Sequence, residues 1–308
     1  MRTDISHLPL RNQKELERVV KAIFEEFEDE HKLAQGDRKL GRILKILLYG
    51  SFARNDWVYA PEAMNDYRSD YDILIIVNQD ELVDAEHWVN LEDRLSRDFV
   101  ILHRLRHPAN TIVHTLQDVN SNLSQGRYFF MNIAADAIAL YQSDDSELAT
   151  PRPKTPADAL ALAEEYYEDW YPSAGEFFEF FEAGLERKRY KIAAFQLHQS
   201  AERLYHTILL TCSFYTPHSH NLEYLRRLAK AIDPRLVYVW PDESRADRAR
   251  FNRLKEAYVK ARYSKHYRIS LEDLSWLGER IQELSEIVRT VCSERLADLA
   301  RQVESSPD

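Results

Sequence analysis

A change of hydrophobic rhythm near residue 150 constrains this chain more than any other feature. Ahead of it, the apolar runs are short and of strand length. Residues 43–49 follow Gly41, residues 71–77 are β-branched and apolar, and residues 111–115 form a third such run. Residues 12–35 carry Leu16, Val19, Val20, Ile23 and Phe24 at helical spacing, residues 84–100 are amphipathic, and an apolar segment over 137–141 closes the region. Behind it, residues 157–184, 188–213, 220–231, 246–263 and 270–301 all read as helices, the last capped by Ser270. Between the halves, Ser143-Asp144-Asp145-Ser146 leads into Pro151, Pro153 and Pro156, a density of proline that resists helix and central strand alike. The expectation is an α+β chain: a domain over 1–143 with a short mixed sheet, a linker over 144–156, and an all-α bundle over 157–308.

Composition narrows the function classes. A net charge of −10 argues against a broadly basic nucleic-acid coat and leaves a local basic site open. No apolar run approaches the roughly 20 residues of a membrane span, and Met1-Arg2-Thr3-Asp4 has no leader pattern. Cys212 and Cys292 lack metal-ligand spacing and read as small core residues in a reducing compartment. These features predict a cytoplasmic protein with no membrane partner. Seven glycines in 308 residues predict a helix-rich chain with few tight hairpins.

Two motifs in the first half carry chemistry. Gly50-Ser51 closes the first apolar run, and Ser51 is placed to cap a short helix reaching Arg54. Backbone N–H groups at such a turn suit a phosphate, and Arg54, about one helical turn on, reaches toward a phosphate oxygen. Asp70-Tyr71-Asp72 opens the next run, and strand alternation puts the two carboxylates on one side with Tyr71 on the other. Paired carboxylates suit a divalent cation that neutralises a triphosphate.

Gly50-Ser51-Phe52-Ala53-Arg54 with Ser69-Asp70-Tyr71-Asp72 resembles the nucleotidyltransferases of the DNA polymerase β superfamily, and most of all the minimal and kanamycin-type enzymes. The resemblance covers about residues 40–141. It implies that Gly50 and Ser51 bind the triphosphate, that Asp70 and Asp72 hold Mg²⁺, and that AMP moves from ATP to a hydroxyl acceptor. Two departures stand out. Eighteen residues separate Ser51 from Asp70, and the aromatic insert over 57–68 reads either as a lid or substrate wall or as a surface loop. The family's third carboxylate lies on a later strand. In Ile112-Val113-His114-Thr115 that place is assigned to His114, with Asp118 just downstream. A histidine there accepts a proton near neutral pH or marks a weakened catalyst.

The second half resembles a HEPN domain in Ala193-Ala194-Phe195-Gln196-Leu197-His198-Gln199-Ser200-Ala201-Glu202-Arg203-Leu204, in His218-Ser219-His220-Asn221-Leu222, and in Ala257-Tyr258-Val259-Lys260-Ala261-Arg262-Tyr263. Many such domains are metal-independent ribonucleases with an arginine, four to six residues, then a histidine. Here Arg262 and His266 stand closer, with three residues between them, a spacing that shares one face if the helix continues. In paired toxin–antitoxin relatives a tyrosine close after that histidine accepts AMP, which makes Tyr267 and Tyr263 candidate acceptors. Resemblance also implies a homodimer. Three readings follow: an adenylyltransferase using Mg²⁺, ATP and a hydroxyl acceptor; a fused toxin–antitoxin protein acting on RNA; and a nucleotide-binding scaffold.

Overall fold

The computed structural model describes residues 1–32, 40–60, 67–84, 87–143, 147–217, 219–241 and 244–305. The architecture is α+β, and the chain divides into two compact units, Met1–Pro153 and Lys154–Asp308.

The first unit is built on a four-stranded mixed sheet in the order β5-β4-β1-β6, formed by β1 (Ile43–Tyr49), β4 (Tyr71–Val77), β5 (Ala109–Thr115) and β6 (Ile138–Gln142). β1 runs antiparallel to both β4 and β6, and β4 runs parallel to β5. β1 is buried along its whole length, Lys45 included, because both sheet faces are covered, which explains a run that is apolar on both faces apart from that lysine in place of an alternating one. On one face, Ile46, Leu48, Ile73, Ile75 and Val77 pack with Leu16, Val19 and Ile23 of α1 (Leu10–Lys32) and with Leu91 and Leu95 of α3 (Val89–Val100).

Polar pins fix this layer. The buried Tyr71 hydroxyl donates to Glu15 Oε2 at 3.0 Å and accepts from Asn12 Nδ2 at 2.9 Å. Glu15 Oε2 also accepts the Arg106 backbone N–H at 3.1 Å, so α1, the start of β4 and the approach to β5 meet at one carboxylate. α3 begins at Val89, later than the helix expected over 84–100, because a 3₁₀ turn at Asp80–Val83 comes first. The Trp88 indole donates to the Leu82 carbonyl at 2.7 Å and closes that turn, while residues 85–86 lie outside the described residues.

The opposite sheet face is covered by α4 (Leu116–Ser124) and α5 (Tyr128–Asp136), two helices in a stretch to which the sequence reading assigned no element. Phe129 and Phe130 of α5 meet Tyr49 and His114 edge to face. Thr115 caps α4 by accepting the Asp118 N–H at 3.1 Å, a local signal that was present in the sequence.

The second unit is all helical: α6 (Pro156–Glu186), α7 (Tyr190–Ser213), α8 (Leu222–Lys230), α9 (Arg245–Tyr263) and α10 (Leu271–Ser305). α7 is its axis and packs against the other four. Gly184 of α6 lets α7 come close, since a β-carbon there would stand 3.1 Å from Ala193 Cβ and 3.2 Å from its Cα. Cys212 is half-buried, Cys292 is buried, and both are free thiols. Among the described residues no helix is long and apolar enough to cross a membrane.

Candidate functional site

The register of the sheet brings the two N-terminal motifs together. Tyr49, the last residue of β1, pairs with Asp72 of β4. Gly50 therefore turns directly beside the Asp72 carboxylate. A β-carbon on Gly50 would lie 2.5 Å from Asp72 Oδ2, inside any permissible contact, and Gly50 adopts φ +74°, ψ −151°. Both facts demand glycine. Ser51 then opens α2 (Ser51–Arg54), a single turn closed by Asn55 in the left-handed region. Arg54 points outward and pairs with Asp56 at 3.2 Å.

The base of this corner is aromatic. Phe52 stacks on Trp57 at 5.2 Å and touches Tyr71 and His107, whose Nδ1 meets the Ser69 carbonyl at 2.8 Å. Trp57, the first residue of the long insert, is thus an anchor of the corner and not part of a free wall. The insert continues as a small hairpin, β2 (Tyr59–Ala60) against β3 (Tyr67–Arg68); residues 61–66, the heart of the expected lid, lie outside the described residues.

Asp70 and Asp72 lie on the side of β4 away from Tyr71, both half-buried. The residue that joins them from the neighbouring strand is Asn110. It pairs with Asp72 in the parallel register, and its Nδ2 donates to Asp70 Oδ2 at 2.9 Å. His114, assigned from sequence to the third-carboxylate place, does not stand there. It pairs with Ile76, four residues further along, or about 13 Å at the rise of a strand. Its Nδ1 meets Asp118 at 2.5 Å, and that hydrogen bond holds the Asp118 carboxyl below its ordinary value. The misplacement has a simple origin: β5 starts at Ala109, two residues before the apolar run that announced it.

Asp70 and Asp72 offer hard oxygen donors at one strand end, and the missing side chain of Gly50 leaves room for the Asp72 carboxylate. The donor set fits a divalent cation whose remaining ligands come from phosphate and water. Among the described residues no group of three or more His, Cys, Asp or Glu is arranged to hold a metal unaided. A separate cavity of about 530 Å³ lies between the N-terminal segment and α2, walled by Arg2, Asp4, His7, Arg54 and Asn55 among others, and Asp70 and Asp72 are not part of its wall.

In the helical unit, Arg262 and His266 do not share a helix face. α9 ends at Tyr263, with Ser264 extended, because the Ser264 N–H closes on the Lys260 carbonyl and the chain then leaves the helix. His266 is exposed beyond that end, its N–H bonded to Ser264 Oγ at 3.2 Å. The two candidate acceptors separate sharply. Tyr267 is 5 % exposed and its hydroxyl donates to the Arg253 carbonyl at 2.8 Å, while burial pushes its ionisation far upward. Tyr263 is 77 % exposed. Glu202 and His220, to which the sequence assigned no role, meet at 3.0 Å, with His220 stacked on Tyr258; the spacing of His198, Glu202 and His206 at every fourth position was the available signal.

No curated protein matches this chain. With the bundle of α6 to α10 and its polar cluster in view, the comparison with family models gives a consistent answer for the second unit: residues 167–294 match the HEPN domain.

Proposed function

We propose that the N-terminal unit transfers a nucleoside monophosphate, AMP from ATP in the first instance, to a hydroxyl acceptor. The observation that carries this reading is the contact of Gly50 with Asp72, which sets a strand-end turn against a pair of carboxylates. Asp70 and Asp72 would hold Mg²⁺, which when bound neutralises phosphate charge and polarises the phosphorus. Gly50 keeps the Asp72 carboxylate in place, and Asn110 holds Asp70 through one oxygen. As an amide, Asn110 takes no proton from the acceptor. Pyrophosphate release from ATP is the test. Turnover by the wild type no greater than that of the Asp70→Ala, Asp72→Ala double variant defeats the reading.

A second reading is favoured by the HEPN match: the helical unit cleaves RNA without a metal, and the N-terminal unit regulates it by adenylylating a tyrosine. Exposure makes Tyr263 the acceptor of that reading and sets Tyr267 aside. Intact mass of the protein after incubation with ATP is expected to rise by whole AMP units, and the increment is expected to vanish in Tyr263→Phe. An unchanged mass in the wild type removes the self-modification.

A further inference from the structure

Two segments of the helical unit meet at one carboxylate, and a third packs on the histidine that binds it. Glu202 of α7 has a side chain 8 % exposed and accepts hydrogen bonds from His220 Nδ1 at 3.0 Å and Gln199 Nε2 at 3.2 Å. His198, one turn earlier, and His206, one turn later, flank the same carboxylate at 3.6 Å and 3.9 Å. His220 comes from the segment ahead of α8, and its ring stacks on Tyr258 of α9 with centroids 4.1 Å apart. Arg262, one turn beyond Tyr258, lays its guanidinium over the same ring at 4.3 Å.

The roles follow from chemistry. A buried carboxylate that accepts from one imidazole nitrogen fixes the ring and its tautomer, and leaves Nε2 to receive a proton. The His220 side chain is 55 % exposed, so that nitrogen is open to a substrate. Arg262 spends Nε on the Tyr258 carbonyl and has no carboxylate partner among the described residues, which leaves its terminal nitrogens for a phosphate. Tyr263, beside it and exposed, adds a face on which a base can stack.

Resting on the ribonuclease reading of this unit, we propose that its catalytic groups are His220 and Arg262, with Glu202 as the positioning residue, and that the substrate is single-stranded RNA. His220 Nε2 takes the proton of a ribose 2′-OH as the 2′-oxygen bonds to the adjoining phosphorus. The P–O5′ bond breaks, water protonates the departing 5′-oxygen, and His220 returns its proton to solvent. Arg262 binds the non-bridging oxygens, where negative charge grows. The products are a 2′,3′-cyclic phosphate and a 5′-hydroxyl.

The experiment uses the full chain, excess chelator and a labelled single-stranded RNA. His220→Ala and Arg262→Ala are expected to lose about 10²- to 10⁴-fold in rate. Added imidazole is expected to restore part of the activity of His220→Ala and none of that of Arg262→Ala. Glu202→Gln is expected to lower kcat with KM little changed, and His266→Ala to stay within a few-fold of the wild type. A single 2′-deoxy substitution at the scissile position is expected to block cleavage. Full activity in His220→Ala, or a loss there that imidazole does not relieve, overturns the proposal. Loss confined to His266→Ala moves the chemistry to that histidine and leaves the ribonuclease reading standing. No metal-free cleavage by the wild type defeats both.

Discussion

Gly50→Ala is the sharpest test of how the N-terminal corner is built. Two separate penalties are written into the geometry. The backbone at φ +74°, ψ −151° lies in a region that side chains other than hydrogen reach only with strain, about 1–3 kcal/mol. The added methyl also lands 2.5 Å from Asp72 Oδ2, so either the carboxylate swings away or the ends of β1 and β4 separate. Taking about 2 kcal/mol for the strain alone, local opening of these strands becomes roughly 30-fold more frequent at tenfold per 1.4 kcal/mol, and the clash adds to that. Hydrogen exchange followed by mass spectrometry on the full chain reads this in peptides covering Ile43–Tyr49 and Tyr71–Val77, with the helical unit as an internal control. Repeating the substitution in an Asp72→Ala background separates the terms. The backbone strain persists there, the clash does not, and the cost of Gly50→Ala is expected to shrink. Unchanged exchange in Gly50→Ala refutes the argument as a whole, and an equal cost in both backgrounds refutes the contact with Asp72.

Three further outcomes are expected. Tyr71→Phe removes a buried hydroxyl that serves both Glu15 and Asn12, and is expected to cost about 1–3 kcal/mol in urea unfolding. Burial, chiefly, pushes His198 down to about 3; the charges of His220 and Arg262 add to it, and a backbone hydrogen bond at His220 opposes it. Between pH 6.5 and about 3 the unfolded chain therefore binds a proton that the folded one refuses, so the contribution of His198 is complete above pH 6.5 and lost as pH falls through that window; His198→Leu is expected to flatten this acid limb in a stability–pH series. Thr155→Ala deletes the cap that accepts the Asp158 N–H at 3.1 Å, and is expected to cost about 0.5–2 kcal/mol and fray the start of α6 in hydrogen exchange.

Local pattern made much of the fold legible. The strands at Ile43–Tyr49 and Tyr71–Val77 are read from their apolar runs, because a buried strand has no need of alternation. The five helices of the second unit fall within a few residues of the periodic segments, since each buries one continuous face. The helices α4 and α5 were less visible: Tyr128–Asp136 is apolar enough to pass for strand or core, and only the Thr115 cap announced the turn into helix.

The site divides along a different line. Sequence alone singled out Gly50-Ser51 and Asp70-x-Asp72 as the candidate motifs of the first half, because residue type and alternation are local properties. It also bounded the helix that carries Arg262 at residues 246–263, close to the observed Arg245–Tyr263, because that spacing is local too, and left open whether the helix ran on to His266. Pairing is not local, and tertiary structure decided it. The parallel register of β4 and β5 put Asn110 beside Asp70 and carried His114 about 13 Å down the sheet, a result that no property of residues 112–115 encodes. The end of α9 at Tyr263 parted Arg262 from the face His266 would have shared, and the packing of α9 against the segment before α8 set Arg262 and His220 over the ring of Tyr258 instead.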